Sequence, residues 1–173
     1  MKIVFAGTTP FSAFHLHLLI KSKNEVAAVL TQPDRKSGRG KNLKPSPVKT
    51  LSEKEGLQII QPKSLKNNPE VIEGLKAISP DLILVVAYGL ILPPEIISLP
   101  EFGCINVHAS LLPRWRGAAP IERSILEGDS KGGITYMKMD EGLDTGPIMK
   151  LLPCPFVEDE DSETLEKKYQ NLS

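Results

Sequence analysis

The chain has 173 residues, 40% of them hydrophobic and 24% charged, and its 21 basic and 21 acidic residues give a formal net charge of zero. These values are typical of a folded globular protein and exclude a disordered chain, while zero net charge argues against a strong overall attraction to nucleic acid. The length suits one domain, and no apolar run approaches the ~20 residues of a membrane span, so we expect a cytoplasmic protein that does not contact a membrane.

Short apolar runs alternate with helical patterns in the first half of the sequence. Strands are predicted at 2–6, 25–31, 57–61 and 81–87. Helices are predicted after Pro10, from the spacing of Phe14, Leu18 and Leu19, and at about 47–55. Strands without polar alternation are typical of a parallel sheet that is covered on both faces. The sequence therefore predicts an α/β, Rossmann-like domain over residues 1–173, with a doubly wound, mostly parallel sheet and helices on both faces.

The second half has a more mixed pattern. Strands are predicted at 103–109, 134–139 and 148–156, and helices near 119–126 and at 162–172. This mixture indicates added strands, some of them antiparallel. Ser162 is a suitable N-cap for the last helix, because its side chain can accept a hydrogen bond from the first turn.

The longest stretch without a helix or strand pattern lies at 32–46 and is basic. Six basic residues and no acidic residue occur between positions 35 and 49: Arg35, Lys36, Arg39, Lys41, Lys44 and Lys49. A loop of this length in a compact domain is usually functional or mobile. The residues alone leave two interpretations open, an exposed loop that only aids solubility and a loop that meets phosphates.

Several common sites are not supported. The first strand-to-helix turn, residues 6–10, lacks the glycines of a dinucleotide site, and no P-loop pattern occurs. Cys104 and Cys154 lie in apolar segments, which favours reduced, packed thiols. His15 and His17 point to different faces of a helix, so no zinc site and no other metal site is predicted. Ser110 lacks the GxSxG context of a serine nucleophile, which leaves a serine hydrolase a weak alternative.

Three segments at predicted strand ends, 87–90, 106–110 and 140–147, are candidates for one cleft. The period of two along a strand puts Asn106 and His108 on one face, and Asp144 on a glycine-flanked loop can reach them. An amide, an imidazole and a carboxylate suit the attack of an amine on a carbonyl group. The alternative is a hydrogen-bonded core histidine and a turn-forming aspartate, and spacing alone does not decide between the two.

Two long strings resemble the 10-formyltetrahydrofolate-dependent formyltransferases. Residues 103–121 read GCINVHASLLPRWRGAAPI, and residues 139–146 read MDEGLDTG. Four shorter segments are similar to the methionyl-tRNA formyltransferase branch of that family: FAGTTP at 5–10, TQPDR at 31–35, GRGK at 38–41 and PSPVK at 45–49. The resemblance covers essentially the whole chain.

The resemblance implies a reaction and the residues that perform it. The formyl group of 10-formyltetrahydrofolate is transferred to the α-amine of methionine on initiator tRNA, and the family's Asn-x-His pair and distant Asp correspond to Asn106, His108 and Asp144. The folate-binding residues implied are Ser110, Leu111, Leu112, Pro113, Tyr88, Gly89, Leu90 and Asp140. The inserted basic loop, about residues 32–48, is expected to contact tRNA through Arg39 and Lys41.

Some expectations concern the rest of the protein. Family members normally continue into a C-terminal β-barrel that binds tRNA, and no segment of this sequence corresponds to it, so the activity of this chain by itself is doubtful. A monomer is expected. The nearest rival enzymes are the glycinamide ribonucleotide and sugar-nucleotide formyltransferases, which share the Asn, His and Asp chemistry. Relatives that hydrolyse formyl-folate, or a module that binds folate or tRNA without catalysis, are further alternatives.

Overall fold

The computed structural model describes residues 1–37 and 42–173. This part of the chain forms two compact units, Met1–Cys104 and Ile105–Ser173, and the boundary between them falls inside one strand. The first unit contains β1 (Lys2–Gly7), α1 (Pro10–Lys21), β2 (Glu25–Leu30), β3 (Arg35–Ser37), β4 (Asn42–Lys44), α2 (Pro47–Lys54), β5 (Ile59–Ile60), α3 (Pro69–Ile78), β6 (Leu82–Val86) and α4 (Pro94–Ile97). The second contains β7 (Cys104–His108), α5 (Pro120–Leu126), β8 (Lys131–Lys138), β9 (Ile148–Pro155) and α6 (Ser162–Leu172).

The sheet of the first unit is parallel and doubly wound. Its strands lie in the order β5-β2-β1-β6, and all three pairs are parallel. The chain runs outward from β1 to β5 and then returns to the other side of β1, so right-handed crossovers place the connecting helices on opposite faces. This reversal beside β1 defines a switch point, and it confirms the predicted Rossmann-like α/β class.

Buried apolar side chains explain why these segments form inner strands. Val4, Phe5, Val29, Leu30 and Ile83 are fully buried, as a sheet covered on both faces requires. The first helix begins where the sequence offers a good cap: Thr9 accepts a hydrogen bond from the Ser12 amide, and Pro10 occupies the first helical position.

The second unit is built around an antiparallel meander. β7 pairs with β8, and β8 pairs with β9, both antiparallel, so the antiparallel strands expected here are confirmed. Helix α6 packs on this meander through Leu165 and Tyr169, which are fully buried. The Tyr169 hydroxyl accepts a hydrogen bond from the Gly133 amide at 2.7 Å, which fixes the helix to β8.

Two predictions about local structure are wrong. The stretch 32–46 is not without regular structure, because β3 and β4 pair antiparallel, with Arg35 opposite Lys44. The N-cap of α6 is Asp161, not Ser162: the Asp161 carboxylate accepts from the Thr164 amide at 2.7 Å, and the Thr164 hydroxyl contacts Asp161 in return. Helices α3 and α4 were not predicted at all.

Candidate functional site

Asn106 and His108 are presented by β7, in the second unit. In the ladder with β8, Asn106 lies opposite Met137 and His108 lies opposite Thr135. His108 is buried and Asn106 is half-buried. Both side chains contact the same aspartate, Asp144, so the prediction that they share one face of the strand is confirmed.

The Asp144 carboxylate connects the candidate residues. Its Oδ1 accepts a hydrogen bond from Asn106 Nδ2 at 3.1 Å, and its Oδ2 accepts from the Gly117 amide at 2.8 Å. Oδ2 also lies 3.6 Å from Nδ1 of His108. Asp144 has a φ of 51°, in the left-handed region that aspartate tolerates better than most residues. The structure therefore brings Asn106, His108 and Asp144 together as the sequence predicts.

The other ring nitrogen of His108 is held by the backbone. Nε2 lies 3.0 Å from the carbonyl oxygen of Trp115. A carbonyl oxygen can only accept, so Nε2 carries a proton and donates it to this bond. The imidazole is thus fixed at one nitrogen by Trp115, and it faces the Asp144 carboxylate with the other.

The segment after β7, where folate-binding residues are predicted, is tied to β8 by Thr135. The Thr135 hydroxyl, which is fully buried, donates to the Ser110 carbonyl at 2.6 Å and accepts from the Leu112 amide at 3.0 Å. The Ser110 hydroxyl donates to the Arg114 carbonyl at 2.6 Å. Of the predicted residues, Ser110 and Leu112 are buried, Leu111 is half-buried and Pro113 is exposed.

The Trp115 ring lies among charged groups. The guanidinium carbons of Arg114 and Arg123 lie 4.1 and 4.8 Å from the centre of its ring. Its indole Nε1 donates to Asp129 Oδ2 at 2.7 Å. Arg114 also bonds the Asp129 carboxylate through two nitrogens, at 2.9 and 2.6 Å. Sequence reasoning missed Asp129, because no spacing rule connects it with Trp115.

Asp140 shapes the turn that carries Asp144. Its Oδ1 accepts from the Gly142 amide at 3.0 Å and from the Thr145 hydroxyl at 2.7 Å. Such side-chain bonds to a residue two positions ahead are typical of Asp in turns. The observed role of Asp140 is local, and its contact with folate stays a prediction.

The predicted residues Tyr88, Gly89 and Leu90 follow β6 in the first unit. The Tyr88 carbonyl accepts two hydrogen bonds of 2.8 Å, from the Thr8 hydroxyl and from Gln32 Nε2. The Tyr88 ring is buried, its hydroxyl has no partner within the described ranges, and burial raises its pKa. The Tyr88 ring therefore packs in the core, and the contact of Tyr88 with folate stays a prediction. Gln32, which the sequence did not single out, holds the turn through its hydrogen bond to the Tyr88 carbonyl.

The base of the β3–β4 hairpin is closed by an ion pair. Lys49 Nζ lies 2.9 and 2.7 Å from the two carboxylate oxygens of Asp34, and Gln61 Nε2 donates to Oδ1 at 2.9 Å. Hydrogen bonds from Lys49 and Gln61 lower the pKa of Asp34. Lys49 is thus paired with an acid. Arg39 and Lys41, predicted to contact tRNA, lie outside the described residues.

The two cysteines and His15 of α1 behave as packed side chains. Cys104 and Cys154 are free and buried, as predicted, and burial raises the pKa of Cys104 to about 12. His15 is buried, with Nδ1 2.8 Å from the Phe11 carbonyl, and burial lowers its pKa. In residues 1–37 and 42–173, no group of three or more His, Cys, Asp or Glu side chains is arranged to hold a metal ion, and no helix is long and apolar enough to cross a membrane.

Comparison with known proteins defines the class. The formyl transferase family matches the chain over residues 1–173, and the chain belongs to this family. A methionyl-tRNA formyltransferase of Chromobacterium violaceum is 52% identical over 168 residues, which are 97% of this chain and 55% of that protein. The chain therefore spans about half the length of this curated relative.

Solved structures show the same fold. A phosphoribosylglycinamide formyltransferase from Bacillus halodurans matches with a TM-score of 0.79 and 23% identity, over 99% of this chain and 88% of that one. The enzyme of the same name from Streptococcus pneumoniae matches with a TM-score of 0.77 and 22% identity, over 98% and 90% of the two chains. At such identities the likeness concerns the fold.

Proposed function

We propose that this chain supplies the catalytic part of an enzyme that transfers the formyl group of 10-formyltetrahydrofolate to the α-amine of methionine on initiator tRNA. The observation that carries the proposal is the convergence of Asn106 and His108 on Asp144, in a chain half identical to a methionyl-tRNA formyltransferase.

The three side chains suit the chemistry of amide exchange. The amine nitrogen attacks the formyl carbon, and the electron pair of the C=O bond moves to oxygen. Asn106 uses one amide hydrogen for Asp144, so a second remains to donate to that oxyanion. The imidazole of His108 takes the proton that the attacking amine loses and passes it to N10 of the folate as the C–N10 bond breaks.

Asp144 supports this proton transfer in two ways. Its carboxylate lies 3.6 Å from Nδ1 of His108, so it stabilises the imidazolium that forms when the amine is deprotonated. It also orients the Asn106 amide through a 3.1 Å hydrogen bond. No covalent enzyme intermediate is needed.

The formyl donor and the tRNA are proposed to contact different residues of the chain. The formyl donor is proposed to bind Ser110, Leu111, Leu112, Pro113, Tyr88, Gly89, Leu90 and Asp140. The tRNA is proposed to meet the β3–β4 hairpin, where Lys36 and Lys44 are exposed, and to contact Arg39 and Lys41 between the strands. A cytoplasmic location is part of the proposal, and the monomeric state stays a prediction.

The experiment follows labelled formyl from 10-formyltetrahydrofolate to methionyl initiator tRNA, with this chain and with the full-length protein that contains it. His108→Ala and Asn106→Ala are expected to lower turnover by about 10²- to 10⁴-fold while the fold is retained. The exposed variant Glu163→Gln is the matched control.

Two results would contradict the proposal. Undiminished turnover in His108→Ala would reject the catalytic assignment. Transfer to glycinamide ribonucleotide but not to methionyl-tRNA would reject the acceptor and favour the reaction named for the two solved structures. Hydrolysis of the donor without any acceptor would favour a hydrolase instead.

A further inference from the structure

The two nitrogens of His108 have different neighbours, and this difference determines which of them can serve the reaction. Nε2 donates to the Trp115 carbonyl at 3.0 Å, whereas Nδ1 lies 3.6 Å from Oδ2 of Asp144. The second separation exceeds the length of a hydrogen bond, so Nδ1 has no tight partner in the described structure. Nδ1 is also the nitrogen on the side of the carboxylate that Asn106 contacts.

The Trp115 carbonyl is held in place by the Trp115 side chain. Trp115 has a φ of 63°, a left-handed conformation that bulky residues rarely adopt, so its surroundings must stabilise it. The indole N–H donates to Asp129 Oδ2 at 2.7 Å. The same carboxylate accepts two hydrogen bonds from Arg114, the residue before Trp115. Asp129 therefore fixes two consecutive residues of the segment that contacts His108.

Asp129 is itself well fixed. Its amide donates to the Ser124 carbonyl at 3.0 Å, just after the end of α5, and its side chain is 13% exposed. Hydrogen bonds from Arg114 and Trp115 lower the pKa of its carboxyl group, which keeps it ionised and able to accept. Asp129 is thus connected to the imidazole by two hydrogen bonds: the Trp115 indole donates to Asp129, and Nε2 of His108 donates to the Trp115 carbonyl.

We propose that Asp129 is a positioning residue for formyl transfer: by fixing the indole of Trp115 it keeps the Trp115 carbonyl on Nε2 of His108, and so reserves Nδ1 for the proton that moves during the reaction. The proposal rests on the function proposed above. Asp129 touches no reacting atom in this scheme. It acts through Trp115, and its effect is on the tautomer and orientation of the imidazole.

The first test compares two substitutions in the full-length protein. Asp129→Ala removes the acceptor of the indole N–H, whereas Asp129→Asn keeps a carbonyl oxygen there. We expect kcat to fall about tenfold in Asp129→Ala, with KM for either substrate changed less than about twofold, because orientation is one part of the contribution of His108. Asp129→Asn should recover most of the loss. Glu163→Gln, which breaks the exposed 2.7 Å pair with Lys167, is the control.

The second test measures the tautomer of the His108 imidazole by NMR and does not depend on activity. The chain has three histidines, so ¹⁵N-histidine labelling gives three ring systems, and His108→Asn identifies the signals of His108. We expect a protonated Nε2 in the wild-type protein and in Asp129→Asn, and a mixture of tautomers in Asp129→Ala. If neither the wild-type protein nor any variant transfers formyl, the proposed function fails. The spectra still decide whether Asp129 sets the tautomer of His108.

Two outcomes would overturn the proposal. One is an Asp129→Ala protein with wild-type kcat and an unchanged His108 spectrum. The other is an Asp129→Asn protein as impaired as Asp129→Ala, which would assign the effect to the ion pair with Arg114. If Asp129→Ala does not fold, Trp115→Phe replaces it, since phenylalanine keeps a ring and lacks the N–H. Its kcat and spectrum should then change as expected for Asp129→Ala.

Discussion

Replacing Thr135 by valine tests how the segment after β7 is supported. The Thr135 hydroxyl is fully buried and makes two hydrogen bonds, one to the Ser110 carbonyl and one from the Leu112 amide. Valine has nearly the same shape and lacks the hydroxyl, so Thr135→Val removes both bonds and leaves little cavity. Ser110 and Leu112 are buried, so water cannot easily replace the lost partner.

The expected loss of stability follows from the two backbone groups that lose their partner, the Ser110 carbonyl and the Leu112 amide. A buried donor or acceptor that loses its partner costs about 1–3 kcal/mol, so the loss of two partners in Thr135→Val should lower the free energy of unfolding by about 2–6 kcal/mol. With a urea m-value of about 2 kcal/mol per molar, the midpoint should fall by about 1–3 M. Thr135→Ser keeps both hydrogen bonds and loses one methyl group, which costs only about 1 kcal/mol.

The assay is urea unfolding of the wild type and both variants, followed by the KM for the formyl donor. Thr135→Val should raise this KM, because Ser110 and Leu112 belong to the proposed folate site, while Thr135→Ser should stay near the wild-type value. A Thr135→Val protein that unfolds at the wild-type midpoint would refute the reasoning. So would equal losses in both variants, since the hydroxyl would then not be the cause.

Three further predictions concern other contacts. Asp144→Asn should fold, since asparagine also tolerates a positive φ, but turnover should fall by about 10²- to 10⁴-fold; a loss below about tenfold in the formyl-transfer assay would contradict the role of the carboxylate. Tyr169→Phe leaves the buried Gly133 amide without its partner and should lower the free energy of unfolding by about 1–3 kcal/mol in urea; an unchanged midpoint would show that another group replaces the hydroxyl. The pKa of Asp34 is lowered in the fold, so its pair with Lys49 stabilises the protein at neutral pH and is lost as the pH falls through the lowered pKa. Lys49→Met should therefore lower the urea midpoint at neutral pH, and the difference from wild type should close in acid; a difference independent of pH would contradict the pairing.

The inner strands were predictable because burial on both faces leaves a clear mark in the sequence. Apolar runs such as 81–87 are too short for helices and too uniform for a half-exposed sheet. The β3–β4 hairpin left no such mark, since each strand has three residues and the residues of β4 are exposed. Helix α3 did have a signal that was overlooked: Asn68 caps it, Pro69 begins it, and Val71 and Leu75 form its buried face.

The candidate site was predictable in part. The period of two along β7 placed Asn106 and His108 on one face, and the glycine-flanked loop allowed Asp144 to reach them. Spacing alone did not distinguish a reaction centre from a core histidine and a turn-forming aspartate. The contact of His108 with the Trp115 backbone could not be predicted, because any residue type can supply a carbonyl oxygen. Asp129 is one of many acidic residues in the sequence, and only the fold brings it to the indole of Trp115.

All three groups of the candidate reaction centre belong to the second unit, Ile105–Ser173, while the β3–β4 hairpin belongs to the first. The parts of the chain that would select an acceptor and the parts that would move the formyl group are thus encoded in separate stretches. Under the proposed function, insertions or deletions near residue 40 would change the partner during evolution without altering the spacing of Asn106, His108 and Asp144. Such a separation would let one set of catalytic residues act on different amines.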